Sequence, residues 1–212
     1  MNAKFSLAEG VAQIGEVFPG EALEKLQAYL ALLQKWNKVY NLTAIRNPED
    51  MLTHHVLDSL SALPPMQALL PASARIADVG SGGGLPGVVL AIVRPDWQIV
   101  SIETVQKKAS FQQQAQIELG LQNFQVQCSR VEQCTGQFDA IVSRAFAKLS
   151  DFVCWTEHLL KPHGHWFAMK GVYPEAELAD LPAHVGLAQS CVLKVPGLEA
   201  ERHMIILESI HA

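Results

Sequence analysis

The stretch Arg75-Ile-Ala-Asp-Val-Gly-Ser-Gly-Gly-Gly-Leu-Pro-Gly87 decides the fold, because an apolar run passes into a glycine turn and then into a helix that starts near Leu85-Pro86. Ile76, Ala77 and Val79 form a short apolar strand of the kind buried on both faces of a parallel sheet, with Asp78 interrupting it. Gly80, Gly82, Gly83 and Gly84 permit positive φ angles and leave no Cβ between the backbone and a ligand. Pro86 suits a first helical turn, where its missing N–H removes no bond. The result is a helix start with free N–H donors at the carboxyl end of a strand, where open α/β sheets bind ligands.

The ligand follows from the charge beside the turn. A dinucleotide fold seats a pyrophosphate on its glycine loop, but Asp78, two positions before Gly80, would repel one. This disfavours a nicotinamide oxidoreductase. An acid here suits a cationic ligand such as the amino acid end of S-adenosylmethionine, with its ammonium and sulfonium charges. Glu103 follows 25 residues after Asp78, at the end of the next apolar run, where a carboxylate can accept from both hydroxyls of a ribose. Ser129-Arg-Val-Glu132 comes after the third run, which places the backbone of Val131 and the carboxylate of Glu132 to meet an adenine ring.

From Arg75 onward, apolar strands alternate with helical patterns, the signature of a mostly parallel α/β sheet built from βαβ units. Strands are expected over Gln98–Glu103, Phe124–Cys128, Phe138–Ser143 and His165–Lys170, with a terminal antiparallel pair at Val192–Val195 and Met204–Leu207. Helices are expected from Val105 to Leu119 and around Asp151 to Leu159, and Lys161-Pro-His-Gly164 reads as a turn. Residues 1 to 72 are helical in period and form a cap, leaving 73–212 as the ligand-binding domain. Leu23, Leu26, Leu30 and Leu33 mark one helix that runs to about Trp36. A second begins at Asn47-Pro48, carries a buried stripe of Leu52, Val56, Leu60 and Leu63, and ends at Pro64-Pro65.

Composition narrows the function. At 212 residues with 49% hydrophobic and 17% charged content, the chain can bury a real core. Four cysteines without C-x-x-C spacing indicate neither zinc nor a disulfide framework, so a reduced cytoplasm is the expected compartment. Neither a signal sequence nor a spanning segment is expected. A net charge of −5 argues against wholesale capture of nucleic acid, although Arg144 to Lys170 holds four basic residues against two acids. His54, His55 and Asp58 share a helix, but few ligands without a partner motif seldom bind metal, and no metal is expected. Asp58 and Asn41 are instead expected to tie the cap to the second domain, with Trp36 and Tyr40 packed between the layers.

With Asp78 to Gly84, Glu103 and Ser143-Arg-Ala-Phe146 in view, the chain resembles the class I S-adenosylmethionine-dependent methyltransferases, whose fold is Rossmann-like. A closer resemblance rests on Lys35-Trp-Asn-Lys-Val-Tyr-Asn-Leu-Thr43, His55-Val-Leu-Asp-Ser59, Gly82-Gly-Gly-Leu-Pro-Gly87, Ser129-Arg-Val-Glu132 and Ser143-Arg-Ala-Phe146. These are similar to the bacterial 16S ribosomal RNA guanine-N7 methyltransferase G family, also called glucose-inhibited division protein B. The resemblance implies cofactor contacts at Gly80, Leu85, Val131, Glu132 and Arg144. Members often carry Asp where this chain has Glu103. It also implies methylation of N7 of one guanine in 16S ribosomal RNA or the small ribosomal subunit, by a cytoplasmic enzyme expected to be a monomer.

N7 of guanine carries a free lone pair, so no general base is required, and none of the usual motifs for amine or pyrimidine-carbon methylation is present. Arg144 stands at the fourth strand end instead. Its fork suits guanine O6, an RNA phosphate or the cofactor carboxylate, with the cofactor role favoured. Phe146 is a candidate base-stacking residue or a core aromatic, and Lys148 and Lys170 are candidate phosphate contacts, with Lys38 and Arg46 behind them. The alternative to an enzyme is a ribosome-binding module that keeps the fold without turnover.

Overall fold

The computed structural model describes residues 6–210. Seven strands form one sheet in the order β3-β2-β1-β4-β5-β7-β6. They are β1 (Arg75–Val79), β2 (Gln98–Ile102), β3 (Phe124–Gln127), β4 (Phe138–Arg144), β5 (Leu160–Lys170), β6 (Val185–Val192) and β7 (His203–Ser209). The first five are parallel, and β7 runs antiparallel between β5 and β6. The chain leaves β1 for β2 on one side and later places β4 on the other, so the strand order reverses between β1 and β4. A crevice opens at the carboxyl ends of strands beside such a switch point. The glycine turn follows β1 there, and β4 ends there in Arg144.

The N-terminal segment is helical: α1 (Leu7–Ile14), α2 (Gly20–Tyr40), α3 (Pro48–Met51), a π-helical turn over Leu52–Leu57, α4 (Asp58–Ser61) and α5 (Leu63–Leu69). Leu26, Tyr29 and Leu33 of α2 and Val56, Leu60 and Leu63 pack into one continuous core with Ile76, Ile99 and Val142 from the sheet. Leu23 and Leu30 lie at its margin, so the buried face of α2 is centred on Tyr29, which the leucine spacing alone does not include. α6 (Gly87–Val93) and α7 (Gln106–Glu118) lie on this side of the sheet, and α8 (Leu149–Thr156) packs on the other with Ile141, Trp166 and Leu207.

Several boundaries differ from expectation. α2 runs past Trp36 to Tyr40, where Asn41 ends it at φ 49°. Pro64 and Pro65 open α5 instead of closing its predecessor, since prolines in a first helical turn lose no bond. Lys161-Pro-His-Gly164 lies inside β5 as a bulge: Phe138 pairs with Leu160 and Ala140 with His165, so the extra residues loop out of the ladder. The terminal pair is β6 and β7, with β6 beginning at Val185, well before the expected Val192. β6 lies at the sheet edge with most of its residues exposed, so no alternation of apolar and polar positions marks it. α9 (Glu175–Ala179) has no buried residue and left no periodic signal. Among the described residues, no helix is long and apolar enough to cross a membrane.

Candidate active site

Asp78 lies beneath the glycine turn and not on the open face of the crevice. It is fully buried, and its Oδ2 accepts from the Gly87 N–H at 2.7 Å, which ties the start of α6 to β1. A Cβ on Gly87 would stand 2.6 Å from that oxygen, so the residue there has to be glycine. Oδ1 is buried without a hydrogen-bond partner. Burial pushes the carboxyl up to about 7, against the opposing pull of the Gly87 N–H and of the Arg144 charge.

Glu103, also buried, clamps the turn from the other side. Its Oε2 accepts from Gly82 N–H and its Oε1 from Val105 N–H, both at 2.8 Å, so one carboxylate joins the glycine turn to the entry of α7. Each oxygen keeps a lone pair for a further donor such as a ribose hydroxyl. Gly82 has φ +59° and a Cβ there would meet nothing within 4 Å, which leaves bare backbone facing open space. Gly84 also has positive φ, and Leu85 is buried behind it.

Sequence reasoning missed what holds the turn from below. Gln112 of α7 is fully buried; its Nε2 donates to Ser81 Oγ and to the Gly82 carbonyl, both at 2.8 Å, while its Oε1 accepts from Ser101. Ser81 and Ser101 also bond to each other, closing a ring of three buried side chains. The available signal was a serine within the apolar run of β2 and an amide on the apolar face of α7. Tyr29 was missed too, and its hydroxyl donates to the Gly83 carbonyl at 2.5 Å, joining α2 to the turn.

Three hollows run in series along the crevice. The first, about 310 Å³, is walled by Val79, Ile102, Val131, Phe146 and Trp155, with Gly80, Thr104 and Glu132 at its margins. Its apolar walls and polar rim suit a nucleoside. Phe146 therefore belongs to this wall and not to an open RNA face: its ring covers Gly80, where a Cβ would come within 2.2 Å of it, and it packs edge-on against Phe152 and Trp155. The second hollow, about 140 Å³, lies over Gly80–Gly83 and is bounded by Thr43, Leu85, His55 and Arg144. The third, about 430 Å³, lies beyond His55 and Arg144 and includes His54, Asp58, Lys170 and Arg202. Gly80 is common to the first two, and His55 with Arg144 to the last two.

Arg144 is fixed at that second boundary. Its Nη1 donates to the His54 carbonyl at 2.6 Å and to Asp58 Oδ2 at 2.9 Å. Asp58 ties the cap to the sheet as expected, but Asn41 is an exposed helix cap, and Asn37 does the local work by bonding Thr43 and Ile45. Trp36 packs between Tyr40 and Phe111 of α7. His55 is held against Thr43 at 2.9 Å, and burial together with the Arg144 charge lowers it to about 4, so it is neutral at physiological pH. Lys170 is engaged internally, donating to the Ala147 carbonyl and to Glu177, whereas Lys148 is exposed at the start of α8. Lys38 and Arg46 border a separate hollow on the cap.

The bare backbone at Gly82, the carboxylate of Glu103 and the apolar slot fit a nucleoside-bearing cationic cofactor. Sheet order and crevice are those of the class I S-adenosylmethionine-dependent methyltransferase fold. Solved structures share the architecture: an S-adenosylmethionine-dependent methyltransferase from Aquifex aeolicus superposes with a TM-score of 0.58 at 17% identity, covering 79% of this chain and 96% of that one. One from Thiobacillus denitrificans, in complex with S-adenosyl-L-homocysteine, gives 0.58 at 12% identity over 81% and 98%. The family model for rRNA small subunit methyltransferase G matches residues 22–205. Relatives named ribosomal RNA small subunit methyltransferase G include one from Aromatoleum aromaticum, 53% identical over 96% of this chain and 97% of that protein. Another, from Neisseria meningitidis, is 50% identical over 98% and 99%. The chain belongs to the rRNA small subunit methyltransferase G family, and its cofactor is S-adenosylmethionine.

Proposed function

We propose that this protein methylates N7 of one guanine in 16S ribosomal RNA, acting as a cytoplasmic monomer on the small ribosomal subunit. The observation that carries the choice of atom is Arg144 at the end of β4, whose guanidinium cannot take a proton. His55 beside it is a poor base, with its pKa lowered to about 4, and Asp78 is sealed beneath the turn. An exocyclic amine or a hydroxyl would have to lose its proton during transfer. N7 would not.

S-adenosylmethionine supplies an electrophilic methyl on sulfur, whose C–S electron pair returns to sulfur as the N7 lone pair forms the new bond. The chain's part is placement. Glu103 and the first hollow hold the nucleoside, and the turn fixes the direction of the methionine end. The Arg144 fork orients the cofactor carboxylate or the guanine at the boundary between the second and third hollows. Well-oriented reactants gain up to about 7–11 kcal/mol from such alignment. The test is to incubate the protein with labelled S-adenosylmethionine and small subunits from cells lacking it, then digest the RNA to nucleosides. Label in 7-methylguanosine is the expected result; label in any other nucleoside, or none, overturns the reading.

A further inference from the structure

Asp58 bridges two arginines that are far apart in the chain. Its Oδ2 accepts from Arg144 Nη1 at 2.9 Å and its Oδ1 from Arg202 Nε at 3.0 Å, while its side chain is only 3% exposed. Arg144 ends β4 and Arg202 directly precedes β7, so three elements converge on one buried carboxylate. We propose that Arg202 is a positioning residue for methyl transfer: acting through Asp58, it holds the Arg144 guanidinium at the boundary between the two hollows. The inference rests on the reading of that boundary as the place of transfer.

Both carboxylate oxygens are occupied from opposite sides, which fixes the rotation of Asp58 and hence the direction of the Arg144 fork. The Arg202 guanidinium is itself anchored, with Nη1 donating to the Glu201 carbonyl at 2.8 Å. Without Arg202, one oxygen loses its partner and the carboxylate is free to turn, carrying Arg144 with it. The charge balance serves the same end. A bare guanidinium would repel a cationic methyl donor, and Asp58 offsets that charge at the point where donor and base meet. Removing the charge of Asp58 should therefore weaken binding of the donor.

The experiment compares Arg202→Met, which keeps the stem, with Arg202→Lys, which restores a cation. Dissociation constants for S-adenosylmethionine are measured by calorimetry, and kcat and KM with small ribosomal subunits. Displacing a positioned group by about 1 Å can cost about 10²-fold, so Arg202→Met should lower kcat by about that factor with KM for the small subunit nearly unchanged. Arg202→Lys should recover most of the rate. Asp58→Asn should lose rate and also weaken donor binding. An Arg202→Met enzyme with unchanged kcat overturns the proposal, as does a raised KM at normal kcat, which would mean that Arg202 holds RNA directly. Joint collapse of melting temperature and donor affinity in both Arg202 variants also overturns it. Wild-type product is identified in parallel as a nucleoside; a mark other than 7-methylguanosine would refute the proposed function while leaving the ratio of rates readable.

Discussion

Burial of Asp78 makes the stability of this protein depend on pH in an unusual direction. Its carboxyl rises from an ordinary 3.8 to about 7 because burial disfavours the charged form more than the Gly87 N–H and Arg144 favour it. The folded chain therefore holds a proton that the unfolded chain releases between about 3.8 and about 7. The stabilising contribution is complete below 3.8 and is lost as the pH rises through about 7. A displacement from 3.8 to about 7 corresponds to about 4 kcal/mol. Asp78→Asn removes the titration. Its amide oxygen still accepts from Gly87, and any cost of placing an NH₂ at the unpartnered Oδ1 position does not vary with pH. Urea unfolding of both proteins at about pH 4 and about pH 8 should show the wild type losing about 4 kcal/mol more than the variant over that interval. Parallel pH profiles would refute the reasoning, and so would a wild type that gains stability relative to the variant.

Three further substitutions probe the turn and its neighbour. Gln112→Leu leaves Ser81 and Ser101 without their shared amide and the Gly82 carbonyl without its donor, so it should destabilise by about 2–4 kcal/mol and weaken cofactor binding in calorimetry. Gly80→Ala places a Cβ 2.2 Å from the Phe146 ring at φ +69°, so the ring must leave the nucleoside wall; cofactor affinity should fall by about tenfold or more with the fold retained. Arg144→Ala should cut methyl transfer by about 10²-fold at unchanged circular dichroism, since Asp58 keeps Arg202 as its partner.

The parts of this site that lie along one stretch of chain were legible in the sequence. Gly80 to Gly84 announce the turn through their composition, and Glu103 and Val131 through their place after successive strands. The place of Asp78 was not legible: a carboxylate sealed under a helix start and one facing a ligand read alike until Gly87 is seen to donate to it. Contacts between distant segments were not legible. Gln112 is an ordinary helix residue until Ser81 and Ser101 are brought against it, and Arg202 lies 144 positions from the carboxylate that holds it. Phe146 shows the same limit, because the motif that names it is silent on which side of β4 its ring folds. The edge strand β6 was hidden by its lack of apolar and polar alternation, and the bulge in β5 by the turn-like Lys161-Pro-His-Gly164, which the sheet absorbs without ending the strand.

Transfer by placement alone, with no proton removed, is tested most directly by the pH dependence of the chemical step. Single-turnover methylation of small ribosomal subunits, at saturating S-adenosylmethionine, is measured from about pH 7.5 to about pH 8.5, above the titration of Asp78 and below the loss of the guanine N1 proton. A flat rate is expected, because N7 attacks with a lone pair that is free throughout this range. A rate that climbs about tenfold per pH unit would reveal a proton that must leave before the methyl arrives, and would contradict attack by N7 without a base.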